Sequence, residues 1–124
     1  MVFDINYLKE TNDRYGHDVG NKLIVSAARI ISDIFKRSPV FRIGGDEFLV
    51  ILQNRDLDNV EELLKIFDEE SLNKSVDTDK ELIPVSIAKG FARYDSKKDT
   101  NFIDVFNRAD DAMYENKRKI KGLK

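Results

Sequence analysis

The chain has 124 residues, 41% of them hydrophobic, which suffices for one domain around a single core. Its 21 basic and 23 acidic residues leave a formal charge of -2, too balanced to draw it onto nucleic acid or an anionic membrane. It has no cysteine and one histidine, which excludes disulfides, thiolate metal sites and multi-histidine zinc sites, so any metal must be held by oxygen.

The opening Met1-Val2-Phe3-Asp4-Ile5 reads as the end of a buried strand, because apolar residues lead into an acid with no start signal before them. A polar helical turn through Lys9 and Asn12 is expected to end at Gly16. Val19, Leu23, Ala27, Ile30, Ile31 and Ile34 then recur at helical spacing as far as Phe35, which predicts a core-facing helix stopped by Pro39. Val40 to Ile43 and Phe48 to Leu52 are two β-like runs joined through Gly44-Gly45-Asp46-Glu47, a hairpin whose glycines permit positive φ and close approach to a ligand. Asn54 to Asp58 is read as a polar connection, and Val60, Leu63, Leu64 and Phe67 mark a second amphipathic helix, followed by a polar loop. Leu82 to Phe91 reads as one strand, with Pro84 near its start where a missing donor is tolerated. After a loop at Asp95 to Thr100, the spacing of Phe102, Val105, Phe106, Ala109, Ala112 and Met113 predicts a third core-facing helix that runs into the basic stretch Lys117 to Lys121. The class is α+β, a mainly antiparallel central sheet flanked by helices with a central Gly-Gly hairpin. The chain opens without a signal core and has no apolar run near the roughly 20 residues that cross a bilayer, so the expectation is a soluble, cytoplasmic domain without membrane contact.

The chemistry concentrates at Arg42-Ile43-Gly44-Gly45-Asp46-Glu47-Phe48. An ordinary exposed turn would look similar on local grounds. Asp4 shifts the balance, because a first strand paired beside the hairpin lets Asp4 and Asp46 face one another across a hard-cation site. Magnesium commonly takes one or two carboxylates together with water and substrate phosphate, which points to nucleotide chemistry.

The hairpin resembles, letter for letter, the signature of the GGDEF domains of bacterial diguanylate cyclases. Asn12-Asp13-Arg14-Tyr15-Gly16-His17 resembles a second block of that family, Ser86 to Gly90 its penultimate strand, and Ala109-Asp110 with Tyr114 and Lys117 its closing helix. The resemblance spans residues 1–124 and implies a nucleotidyl-cyclase-like palm lacking the family's opening helix and the start of its first strand. It implies a magnesium- or manganese-dependent enzyme that condenses GTP into cyclic di-GMP at a site shared with a second such domain, under an upstream sensory or dimerising partner. It assigns the metal to Asp4, the Ile5 carbonyl, Asp46 and Glu47, with Asp46 and Glu47 also catalytic and Glu47 serving a second ion or proton removal. The backbone of Tyr7, Leu8 and Lys9 would meet the β- and γ-phosphates with Lys117 and Lys121, Gly45 would border the substrate, and Asn12 and Asn21 would read guanine. Lys117 read by itself is an ordinary helix-end lysine, Asn12 is equally at home as a local cap, and His17 is structural.

Four departures matter. Asn21 stands where the family usually has an aspartate, leaving one acceptor oxygen for the guanine edge in place of two. Lys121 replaces a phosphate-binding arginine and Ile120 the glycine before it, which keeps the charge and loses the bidentate fork. Phe35 and Ser38 occupy the ends of the family's inhibitory Arg-x-x-Asp, so feedback by product at that place is not expected. Asn6 and Leu8 replace the more usual Asp and Phe. Beside the cyclase stand two other readings: a nucleotide-binding regulatory domain without turnover, and an interaction module whose basic stretch touches RNA.

Overall fold

A computed structural model of the chain describes residues 1–122. Strand β1 (Val2–Ile5) is buried along its whole length, with Phe3 and Ile5 in one apolar cluster and Val2 in another, as alternation on a strand covered on both faces requires. Two helices follow, α1 (Leu8–Tyr15) and α2 (His17–Ile34), separated by Gly16 in a left-handed conformation. The polar turn read before Gly16 is thus two turns of helix. Strands β2 (Val40–Arg42) and β3 (Glu47–Val50) form the central hairpin. Then come α3 (Asn54–Asp58), α4 (Val60–Leu72), β4 (Ser75–Asp77), β5 (Leu82–Pro84), β6 (Ile87–Gly90) and α5 (Phe102–Ile120).

The main sheet has the order β2-β3-β1-β6 and is antiparallel at every pairing, so the fold is the expected α+β arrangement with β1 inside. On one face Phe3 packs against Phe35 after α2, at 5.8 Å between ring centroids, and Phe67 of α4, at 5.0 Å. The other face carries Val2 and Ala88 against Ala109 and Met113 of α5. There α5 lies unusually close: a Cβ on Gly90 would stand 2.1 Å from the Ala109 carbonyl oxygen and 2.3 Å from the Met113 amide nitrogen. Only glycine admits that approach.

Four local readings are corrected. Leu82 to Phe91 is two strands in different sheets: β5 pairs with β4, and after Pro84 the chain crosses over, the Val85 amide donating to Lys74 and the Asn6 amide to Ser86. The connection at 54–58 is a short helix around Asp56, whose buried carboxylate accepts from the Arg37 amide and the Ser38 hydroxyl. Phe102 is half exposed, resting on Phe106, so the buried residues of α5 are Ala109 and Met113. Neither Gly44 nor Gly45 takes a positive φ; a Cβ on Gly45 would meet nothing within 4 Å, so these glycines leave room at the tip without bending it.

Candidate functional site

The end of β1 brings the acids together. In register Asp4 lies opposite Glu47 of β3 and Ala88 of β6, and side chains of opposed residues emerge on the same face. The Ile5 amide donates to the Asp46 carbonyl at 2.8 Å, which ties the hairpin to the strand just where Asp46 turns in. The hairpin tip is held from below by Arg42, which donates to the carbonyl oxygens of Gly44 at 3.1 Å and Gly45 at 2.9 Å.

Asp4 is 6% exposed. Its Oδ2 accepts from Lys117 Nζ of α5 at 2.6 Å, while its Oδ1 is buried with no partner among the described residues. Burial pushes the Asp4 carboxyl above the ordinary aspartate range, and the neighbouring Asp46 carboxylate adds to the rise, against the opposing pull of Lys117. Glu47 is raised for the same first reason, burial, with Asp110 of α5 within hydrogen-bonding reach and Asp4 and Asp46 adding like charge. Burial by itself would lower Lys117, but its bond to Asp4 and the charges of Asp4 and Asp46 outweigh that and raise it.

A divalent cation fits this donor set. Asp4 Oδ1, buried without a partner among the described residues, offers an oxygen to a hard cation, and the carboxylates of Asp46 and Glu47 would gain from a positive charge. Among the described residues no three histidine, aspartate or glutamate side chains stand close enough together to hold a metal ion by themselves, Asp4, Asp46 and Glu47 included. That suits an ion that completes its shell with water and phosphate oxygens.

The turn after β1 leads into α1. Tyr7, at φ 65, precedes the helix, and no side chain caps it among the described residues. The first-turn amides, including Leu8 and Lys9, therefore lack helical partners. Lys121, just past α5, sits with Nζ 4.9 Å from the centre of the Tyr7 ring. The structure thus gathers Lys117 and Lys121 at the two ends of the same short segment, Asp4 to Tyr7.

The two asparagines read for guanine differ in setting. Asn12 turns into the α1–α2 contact, where a Cβ on Gly20 would stand 1.7 Å from its Oδ1, and that oxygen is buried with no partner among the described residues. Asn21, next to Gly20, is exposed and borders a groove of about 390 Å3 with Lys22 and Asp77. Lys9 and Gly45 are exposed, and Leu8 is buried. Three groups left out of the site by sequence reading stand around it: Arg42, Asp110, and Ser86, whose hydroxyl accepts from Asn6 Nδ2 at 3.0 Å. The hairpin, penultimate-strand and closing-helix motifs contained all three, but nothing in their spacing marked them out.

Known proteins extend this picture. The family model described as "Diguanylate cyclase, GGDEF domain" matches residues 1–122. Diguanylate cyclase A of Treponema denticola is 29% identical over 119 residues, covering 95% of this chain and 32% of that protein. Diguanylate cyclase DosC of Escherichia coli is 28% identical over 124 residues, covering 96% of this chain and 26% of that protein. The chain therefore spans about a third or less of the curated relatives it matches. Among solved structures, the GGDEF domain of DgcB from Caulobacter crescentus, in complex with c-di-GMP, superposes with a TM-score of 0.81 at 27% identity, over 95% of this chain and 70% of that one.

Proposed function

The chain belongs to the GGDEF family of diguanylate cyclase domains, and from that membership we propose that it condenses two GTP molecules into cyclic di-GMP, releasing two pyrophosphates, at a site shared between two such domains. The observation that carries the reading is Asp4 itself, a buried carboxylate at the end of the central strand with Lys117 on one oxygen and no partner on the other among the described residues.

Asp4, the Ile5 carbonyl, Asp46 and Glu47 would hold magnesium or manganese, which when bound neutralises phosphate charge and lowers the pKa of a coordinated hydroxyl. The amides at Tyr7, Leu8 and Lys9 offer donors to the β- and γ-phosphates, and Lys117 and Lys121 add point charges. Asn12, whose Oδ1 is buried against Gly20, would offer its Nδ2 donors to the guanine edge, with Asn21 nearby in sequence. Each 3′-oxygen then attacks the α-phosphorus of the other nucleotide, the bond from that phosphorus to the bridging oxygen breaks, and pyrophosphate leaves. Glu47 suits receipt of the hydroxyl proton, since burial and its acidic neighbours move its pKa up from the ordinary range. One domain supplies half of the constellation, so turnover depends on the encounter of two. The solved relatives include one bound to an activator and one with a coiled coil, which supports control by a neighbouring segment or partner that brings two domains together.

Asn21 and Lys121 favour one further reading, a domain that binds Mg-GTP and regulates without turnover. Incubation of concentrated protein with GTP, ATP and magnesium, with products resolved by chromatography beside an Asp46→Ala control, separates the two. Cyclic di-GMP absent from the control supports the cyclase. Bound GTP without product, even in a fused dimer, supports the receptor, and no binding at all removes both.

A further inference from the structure

Tyr7 has a conformation that needs a reason. It is one of two non-glycine residues with positive φ among the described residues, a placement that costs an L-residue about 1–2 kcal/mol. Thr11 locks it there, since both the Thr11 amide, at 2.9 Å, and the Thr11 hydroxyl, at 2.7 Å, donate to the Tyr7 carbonyl. The Tyr7 side chain does not cap α1, and the residue stays 45% exposed. What does meet it is Lys121, far along the chain, with Nζ 4.9 Å from the ring centre. That is within the range at which the ring face attracts an ammonium.

We propose that Tyr7 is a positioning residue: its ring holds the Lys121 ammonium over the uncapped start of α1, where it meets the terminal phosphates of a nucleoside triphosphate. The inference rests on the nucleotide reading above and deepens it. An ammonium on a flexible four-carbon stem lacks the fixed fork of a guanidinium, and it gains direction only from what it lies against. The ring provides that surface from the same residue whose backbone opens the helix, so charge and amides converge on one anion. Lys117 is paired with Asp4, at 2.6 Å, whereas Lys121 lies against the Tyr7 ring.

The test is calorimetric titration of the whole protein with α,β-methylene-GTP and magnesium chloride at fixed ionic strength. Tyr7→Leu is expected to weaken binding by about three- to tenfold, and Tyr7→Phe, which keeps the ring, to bind like the parent. In a Lys121→Met background, Tyr7→Leu is expected to add no further loss, the signature of a coupled pair. Parent-like binding by Tyr7→Leu, or an equal loss in both backgrounds, overturns the proposal while the nucleotide reading stands. Failure of the parent protein to bind the analogue with magnesium removes that reading, and this one with it.

Discussion

Lys117 Nζ and Asp4 Oδ2 meet at 2.6 Å although 113 positions separate them, so the last helix supplies the counter-charge for the first strand. Lys117→Met leaves the buried Asp4 carboxyl beside Asp46 and Glu47 without its counter-charge, and is expected to cost about 1–3 kcal/mol at pH 7 in urea unfolding. The pair stabilises only while Asp4 is charged, and the Asp4 pKa lies above the ordinary aspartate value. The difference between variant and parent should therefore shrink as pH falls through that raised pKa. A gap that persists in acid would assign the loss to packing of the lysine stem.

Glu47 should behave in the opposite sense. A carboxyl whose folded pKa is raised favours the fold when protonated, below its unfolded pKa, and loses that contribution as pH rises through the folded value. Glu47→Gln removes the repulsion from Asp110, Asp4 and Asp46, so it is expected to melt higher than the parent at pH 7 and to converge with it in acid. The same variant should lose most turnover. Stability and activity moving apart would mark Glu47 as strained for function.

Gly20→Ala places a methyl where the Asn12 amide now lies. The clash is with the end of a side chain, so the fold should survive within about 1 kcal/mol while Asn12 is displaced. GTP affinity is expected to fall about tenfold, in the range of one lost base contact. Gly90→Ala meets backbone instead, the Ala109 carbonyl and the Met113 amide, and should destabilise by about 3 kcal/mol or more. Thermal melts of the two variants, measured side by side, check the contrast.

Asn21→Asp restores a second acceptor oxygen. If Asn21 reads guanine, the ratio of GTP to ATP bound should rise by about tenfold, roughly the 1–3 kcal/mol that a good pair discriminates. An unchanged ratio in competition titrations would assign Asn21 to the groove it shares with Lys22 and Asp77.

The sheet, the hairpin and α2 were legible because each is written in local periodicity: Leu23, Ala27, Ile30 and Ile31 repeat on one face, and all four are buried. The first strand does pair beside the hairpin, with Asp4 in register with Glu47 and the Ile5 amide on the Asp46 carbonyl. The break at Pro84 was not legible. It depends on which partner each half meets, Lys74 for Val85 and Asn6 for Ser86, and β4 offers a single buried residue, Val76, as its signal. Asp56 was hidden similarly, because a buried carboxylate satisfied by Arg37 and Ser38 has no sequence pattern of its own. Phe102 misled by type: its spacing is helical, yet it stands at the first turn of α5, beyond the strands that the later turns cover. The cations gathered around Tyr7 and Asp4 depend on tertiary packing, which periodicity does not encode.

The contact of Gly90 with Ala109 and Met113 makes a fulcrum of the place where α5 crosses β6. Lys117 and Lys121 lie four and eight residues past Met113, about 6 and 12 Å along the helix axis at 1.5 Å per residue. A tilt of about 10° at that bearing would carry Lys121 through about 2 Å and Lys117 through about half as much. The tightness of that contact therefore fixes the aim of two charges the glycine never touches.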